Sequence, residues 1–400
     1  MPCLIFTSAP WGAPLTRVLS FIRAPGNIVN NTLAVSLARQ LIRVNTVNPP
    51  GNEADAVRII APLLQDAGFH LKEYQYGTNR SSLVAHKGRM DRPAVILSGH
   101  LDTVPFGSQP WQTDPLGALV VEDKLFGRGA ADMKGGVAVL VAAAIHFADK
   151  IKEKPVTLVL SADEEIGCAG AASLISQKVL PRARCILVAE PTGNIPRLGH
   201  KGVFWLKTLF HGKTAHAAFP ELGINALLKA ARAVVALNGD IVRGKAHDVM
   251  GEATLVTSRF LSGDNYNSVP DLAEVGIDIR STVNWSHTEI LHKITTLLAP
   301  LDPEFEVIFD LPPLWTPPES DGIPEIFAAC DTVRKQTHPP AIVTFYTDGG
   351  ILGPGLGNAP VVVLGPGDSG MAHKVDEYVM VNDLLEGVAL YLEILARLCL

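Results

Sequence analysis

The chain has 400 residues, 47% of them hydrophobic and 18% charged, with a net charge of −6 at pH 7. That length exceeds what one hydrophobic core usually spans, so two domains are expected and wholesale disorder is excluded. With no long Lys/Arg block to offset the acidic balance, a nucleic-acid partner is excluded as well.

Residues 1–27 hold an apolar patch, four prolines and two arginines, but no basic start followed by a clean apolar core. They read as a loosely ordered extension rather than a secretory signal. Helix-period segments then alternate with β-branched runs to about residue 195. "NTLAVSLARQLIRV" (31–44) predicts a helix after an Asn cap, and "NEADAVRIIAPLLQDAG" (52–68) another closed by Gly68. "PAVILSG" (93–99), "VTLVLSAD" (156–163) and "CILVAE" (185–190) read as buried strands, with helices over 135–149 and 169–177 between them. The longest apolar stretch, Val137 to Ala148, falls well short of the roughly 20 residues of a membrane span, so it predicts a buried helix and no membrane partner. This alternation implies an α/β fold with a mainly parallel sheet.

Near Arg197 the pattern changes. "GVFWLKTLFHG" (202–212) alternates with period two, and the order that follows is helix (225–239), strand, strand, helix (288–298), strand. That is a β-α-β-β-α-β, ferredoxin-like pattern. From Pro312 the α/β character resumes, with a helix near 324–336, "PAIVTFY", "PVVVLGPG" and a last helix from Asn382. The expected organisation is an α/β domain over 28–196 and 312–400, interrupted by a smaller α+β domain over 197–311. Cys3, Cys168, Cys185, Cys330 and Cys399 are odd in number and scattered, which fits reduced thiols in a cytoplasm.

In open parallel sheets ligands collect beyond the carboxyl ends of the strands. There "VILSGHLD" places His100 and Asp102, "GRGAADMKGG" Asp132, "LVLSADEEIG" Glu164 and Glu165, "CILVAEPT" Glu190, and "GPGDSGMAHKVDE" His373. Singly, each has a mundane reading: carboxylates complement helix N-termini, and loop histidines are usually hydrogen-bonded. Together, so many carboxylates on one edge repel unless cations neutralise them. Two divalent metals sharing a bridging carboxylate meet that need. Imidazole and carboxylate without thiolate suit zinc, and also cobalt or manganese.

"SGHLDTVP", "GRGAADMKGG", "SADEEIG", "AEPT" and "AHKVDEY" resemble, in order and spacing, the di-zinc amidohydrolase and metallopeptidase family. Its members include acetylornithine deacetylase, succinyl-diaminopimelate desuccinylase, aminoacylases and glutamate carboxypeptidases. The resemblance covers residues 30 to 400. It implies that Asp132 bridges two metals, that His100 and Glu190 complete one site, and that Glu165 and His373 complete the other. It further implies Glu164 as general base for an attacking water, Asp102 as the support of His100, and a cis peptide after Asp132. The inserted domain is then a dimerisation and lid domain, and His216 of "HGKTAHAAFP" an oxyanion stabiliser reaching a partner copy's site, with His211 structural. Arg280 in "GIDIRST" would grip a substrate carboxylate, and Asn265 in "DNYNSVPD" would lie near the substrate, ahead of Asn267.

The activity implied is hydrolysis of an N-acyl-amino acid, acetylornithine deacetylase-like, since "VVVLGPG" and "AHKVDEYV" favour that relative. A desuccinylase or a carboxypeptidase/dipeptidase of the same family is the alternative. Two local matches are set aside. "GDSG" (367–370) copies a serine-protease motif, but the chain is α/β and lacks that family's histidine motif. "GKT" (212–214) lacks the first glycine of a P-loop. "YTDGGILG" (346–353) offers a backbone N–H cradle for a carboxylate.

Overall fold

The computed structural model describes residues 32–239 and 241–400. The extension expected over 1–27, and Cys3 with it, lie outside the described residues. In chain order the first elements are α1 (Leu33–Ile42), α2 (Glu53–Asp66), β1 (His70–Gly77), β2 (Arg80–Lys87), β3 (Ala94–His100), β4 (Val120–Val121), β5 (Lys124–Phe126), α3 (Lys134–Phe147), β6 (Val156–Ser161), α4 (Ala169–Ser176) and β7 (Ala183–Val188). A second group follows: β8 (Gly199–His200), β9 (Gly202–His211), α5 (Ala226–Leu237), β10 (Thr254–Ser262), β11 (Leu272–Ser281), α6 (His287–Leu298), β12 (Pro303–Leu311) and β13 (Leu314–Trp315). The chain ends with α7 (Ile323–Arg334), α8 (Gly349–Gly355), β14 (Val361–Val363), β15 (Tyr378–Met380) and α9 (Val381–Cys399).

The principal sheet runs β1-β2-β6-β3-β7-β14. β3 pairs parallel with β6 and β7, and β14 pairs parallel with β7. β3 is buried along its whole length, as a central strand covered on both faces must be. One apolar core holds α1, α2, α3, α7 and α9 against one face, and a second packs α4 and α8 on the other. α3 is the helix expected from the long apolar stretch, apolar nearly all round and buried accordingly.

Two differences from the expected pattern have local causes. The edge hairpin β1–β2 joins β6 antiparallel. Its outer strand, "HLKEYQYG", is polar and mostly exposed, so no burial alternation marks it in the sequence. Conversely, the apolar run "PAIVTFY" forms only an isolated bridge at Val343. Pro339 and Pro340 open it without N–H donors, which weakens any ladder there.

β9, β10, β11 and β12 form a separate antiparallel sheet in the order β10-β11-β9-β12. With α5 and α6 it has its own core, including Phe204, Phe210, Ile277, Ile290 and Ile294. This is the ferredoxin-like α+β insertion in the α/β fold. β8 and β13 pair with each other where the chain leaves the principal domain and returns.

Candidate metal centre

β3, β6, β7 and β14 point the same way, so the segments past their ends share one edge. His100 is the last residue of β3, Glu164 and Glu165 follow β6, Glu190 follows β7, and His373 follows β14. Asp132 arrives from the loop before α3. A Cβ added at Gly136 would lie 2.1 Å from the Ala189 carbonyl oxygen. The missing side chain therefore lets the first turn of α3 touch the segment that carries Glu190. The Asp132–Met133 peptide is cis, the feature implied by the family resemblance.

Two triads result, His100–Asp132–Glu190 and Asp132–Glu165–His373, each with its donor atoms within 4.8 Å of one another. Asp132 belongs to both. His100 Nε2 lies 3.2 Å from Asp132 Oδ1 and 3.6 Å from Glu190 Oε1. His373 Nε2 lies 3.4 Å from Asp132 Oδ2 and 3.1 Å from Glu165 Oε2. Glu164 Oε2 stands 4.0 Å from His100 Nε2, at the rim of the first triad.

Asp102 supports this arrangement from behind. Its carboxylate lies 3.5 Å from His100 Nδ1, which donates to the Asp102 carbonyl oxygen at 3.0 Å. The same carboxylate accepts from the Glu164 and Glu165 backbone N–H groups at 3.1 and 3.2 Å. It therefore orients an imidazole and holds the Glu164–Glu165 turn as well.

Electrostatics test whether cations fit. Burial raises Glu164 well above its ordinary value, with Glu190 and Glu165 adding repulsion and only His100 opposing. Burial likewise raises Glu190, reinforced by the Asp132 charge, and Glu165. Burial alone would lower His100; hydrogen bonds to Asp102 and Asp132, with the charges of Glu190 and Glu164, hold it well above normal. Hydrogen bonds to Asp132 and Glu165 push His373 up to about 10. The cluster thus calls for positive charge wherever it can be placed. Glu165 Oε1, buried and without a hydrogen-bond partner, is a free donor atom in the second triad. Carboxylate and imidazole donors with no thiolate fit hard-to-borderline divalent metals.

Sequence reasoning missed several supporting residues. Asn48 donates to Asp102 Oδ2 at 2.8 Å and to Asp163 Oδ1 at 2.9 Å. Arg80 bridges Asp163 and Glu53, each at 2.6 Å. Tyr346 donates to the carbonyl oxygens of Glu164 and Glu165 at 3.3 and 3.1 Å. Asp348, in the "TDGG" run, is buried and accepts from the Ser161 hydroxyl. Burial lifts its carboxyl to about 6. Tyr346 and Asp348 lie in the "YTDGGILG" stretch, singled out for its glycines rather than for these side chains, while Asn48 and Arg80 carry no pattern of their own.

The inserted-domain candidates are not gathered at this edge. His216 is exposed; its Nδ1 accepts from the Ala218 N–H at 3.0 Å, and it bridges to Ser268. Arg280 donates to both oxygens of Asp278 at 2.9 and 3.1 Å. Asn265 accepts from the Asn267 N–H at 3.2 Å and lines a cleft of about 1010 Å³ with His211, Thr214 and Ser268. His211 pairs with Glu304 at 3.2 Å. "GDSG" is a turn in which Asp368 accepts from the Gly370 N–H, and "GKT" follows β9 in a loop. Cys168, Cys185, Cys330 and Cys399 are free and buried. Among the described residues no helix is long and apolar enough to cross a membrane.

A family model described as Peptidase family M20/M25/M40 matches residues 96–397. The chain belongs to this family. M20/M25/M40 membership makes it a hydrolytic enzyme, a metallo-hydrolase acting on amides. It is 25% identical over 393 residues to a probable succinyl-diaminopimelate desuccinylase of Staphylococcus epidermidis, covering 90% of this chain and 96% of the relative. To an acetylornithine deacetylase of Vibrio parahaemolyticus it is 25% identical over 354 residues, covering 84% and 90%. Its fold matches a dinuclear metal-binding M20 peptidase of Bacillus subtilis with a TM-score of 0.68 at 16% identity, covering 91% of this chain and 96% of the other.

Proposed function

We propose that the chain hydrolyses the amide bond of an N-acyl-α-amino acid, acetylornithine deacetylase-like, with two divalent metals, zinc foremost, at the two triads. The observation that carries this reading is the sharing of Asp132 between His100–Glu190 and Glu165–His373. A dinuclear metal-binding relative with the same fold supports it. When bound, the metals would polarise the scissile carbonyl and acidify a water at neutral pH.

The chain's own groups supply the rest. Glu164 takes a proton from the attacking water as its oxygen bonds the carbonyl carbon. It then returns that proton to the amide nitrogen as the C–N bond breaks, and the acid product's remaining proton passes to the amine, giving a carboxylate and an ammonium. Burial suits it to hold the proton between the two steps. Asp102 keeps His100 and the Glu164–Glu165 turn in place. Arg280 exchanges Asp278 for the substrate α-carboxylate, and Asn265 lies beside it. His216 stabilises the oxyanion of a second copy in a homodimer. The four buried free thiols are consistent with a cytoplasmic setting.

The second reading is a desuccinylase or a dipeptidase, favoured by the probable desuccinylase of S. epidermidis at the same identity as the deacetylase. A panel of N-acetyl, N-succinyl and dipeptide substrates decides between them. The proposal predicts the highest kcat/KM on an N-acetyl amino acid; hydrolysis of dipeptides alone would overturn it.

A further inference from the structure

Glu377 stands in the "AHKVDEY" stretch beyond His373 and belongs to neither triad. Its side chain is nonetheless buried, 0% exposed, and carries four hydrogen bonds. Oε1 accepts from the backbone N–H groups of Ala131 and Asp132 at 2.8 and 3.0 Å. Oε2 accepts from the Gly129 N–H at 3.1 Å and from Arg128 Nη1 at 2.7 Å. Arg128 is itself only 2% exposed, and also donates to the carbonyl oxygens of Lys374 at 3.1 Å and Pro105 at 3.0 Å.

A buried carboxylate is costly unless it is paired and hydrogen-bonded, and this one is satisfied on both oxygens. Its donors all belong to the loop that presents Asp132. Around it the backbone repeats the same link, because Gly127 donates to the Glu377 carbonyl oxygen at 2.9 Å and β15 pairs with β5. Arg128 extends the link to the segment after His100 through Pro105.

From this geometry we infer that Glu377 is a positioning residue of the metal centre, in addition to the support that Asp102 gives His100 and the Glu164–Glu165 turn. It holds the backbone of the ligand common to both triads and sets the His373 segment in register with it. Fixing the Asp132 amide fixes the direction of its carboxylate, so Oδ1 faces His100 while Oδ2 faces His373. A group that merely filled the core would not gather three loop amides and an arginine onto one carboxylate. This inference rests on the reading of the two triads as a metal centre.

The test compares the wild type with Glu377→Asp and Glu377→Gln. Zinc affinity is measured by competition with a chromophoric chelator, and thermal unfolding is followed on the metal-free proteins. Glu377→Asp keeps the charge opposite Arg128 but is one methylene too short to reach all four donors. Zinc affinity should fall about 10–100-fold in Glu377→Asp, the range for lost support behind a ligand, while the metal-free protein still unfolds in one cooperative transition, its melting temperature lowered by only a few degrees for the lost hydrogen bonds. Glu377→Gln, if it folds, should lose at least as much. Wild-type zinc affinity in Glu377→Asp would overturn the inference, as would an affinity loss matched by collapse of the metal-free fold. A wild type that binds no zinc would instead overturn the metal-centre reading beneath it.

Discussion

At the edge of the principal sheet, His100, Asp102, Asp132, Glu164, Glu165, Glu190 and His373 come from distant loops and face one another within a few ångströms. On the inserted sheet, Arg280 is already paired with Asp278 two residues away, and His216 and Asn265 bond within their own loops. Side chains that pair with near neighbours are satisfied where they stand. Like charges brought together from far apart are not, and the edge demands a counter-charge. The groups of the inserted domain are therefore satisfied locally, while the edge gathers charge that lacks a counter-charge.

The strongest blow to the edge is Asp132→Ala, which removes the carboxylate shared by both triads. Metal content should fall to background and hydrolysis become undetectable. One ion retained per chain would show that the triads are independent. Glu164→Ala should leave metal content normal and lower turnover by about 10²–10⁴. Loss of metal instead would make Glu164 a ligand and reverse its role with Glu165. On the inserted sheet, His216→Ala should lower turnover by about 10²–10³. Mixing His216→Ala with Glu164→Ala chains should then restore part of the activity, since each copy supplies what the other lacks. An unchanged rate in the single variant would mean the edge works without the inserted sheet.

The smallest effect lies at the junction of the two regions. His200, on β8, is fully buried, and burial lowers its imidazole from the ordinary 6.5 to about 4. Below 6.5 the unfolded chain binds a proton that the folded chain refuses, so stability is lost as pH falls from 6.5 toward 4. At pH 5 this amounts to about 2 kcal/mol relative to neutral pH. Urea unfolding at both pH values, in the wild type and His200→Gln, should show that share of the acid loss missing from the variant. An identical pH dependence would mean the folded His200 is protonated with the unfolded.

The alternation of elements was legible because buried parallel strands such as β3 open on an unbroken apolar run, Ala94 to Leu97, and the helices between them are either amphipathic or, like α3, apolar nearly all round. The edge cluster was legible for the same reason, since its candidate ligands sit at the ends of those strands in short motifs. β1 was not, because an exposed polar edge strand looks like a loop. Nor were Glu377, Arg128 and Asn48: each acts on backbone or carboxylates brought near only by folding, and a single buried glutamate looks like any surface one in the sequence. The inserted sheet shows the opposite limit. Its candidates His216, Arg280 and Asn265 rest on the family resemblance alone, and in the structure each bonds to a near neighbour in the chain.

The central claim is that one carboxylate, Asp132, unites two metal sites. Its most direct test is elemental analysis of the purified chain after dialysis against metal-free buffer, beside Asp132→Ala prepared identically. The account predicts about two divalent ions per wild-type chain and none in the variant. A wild type without metal, or a variant that keeps both ions, would contradict it.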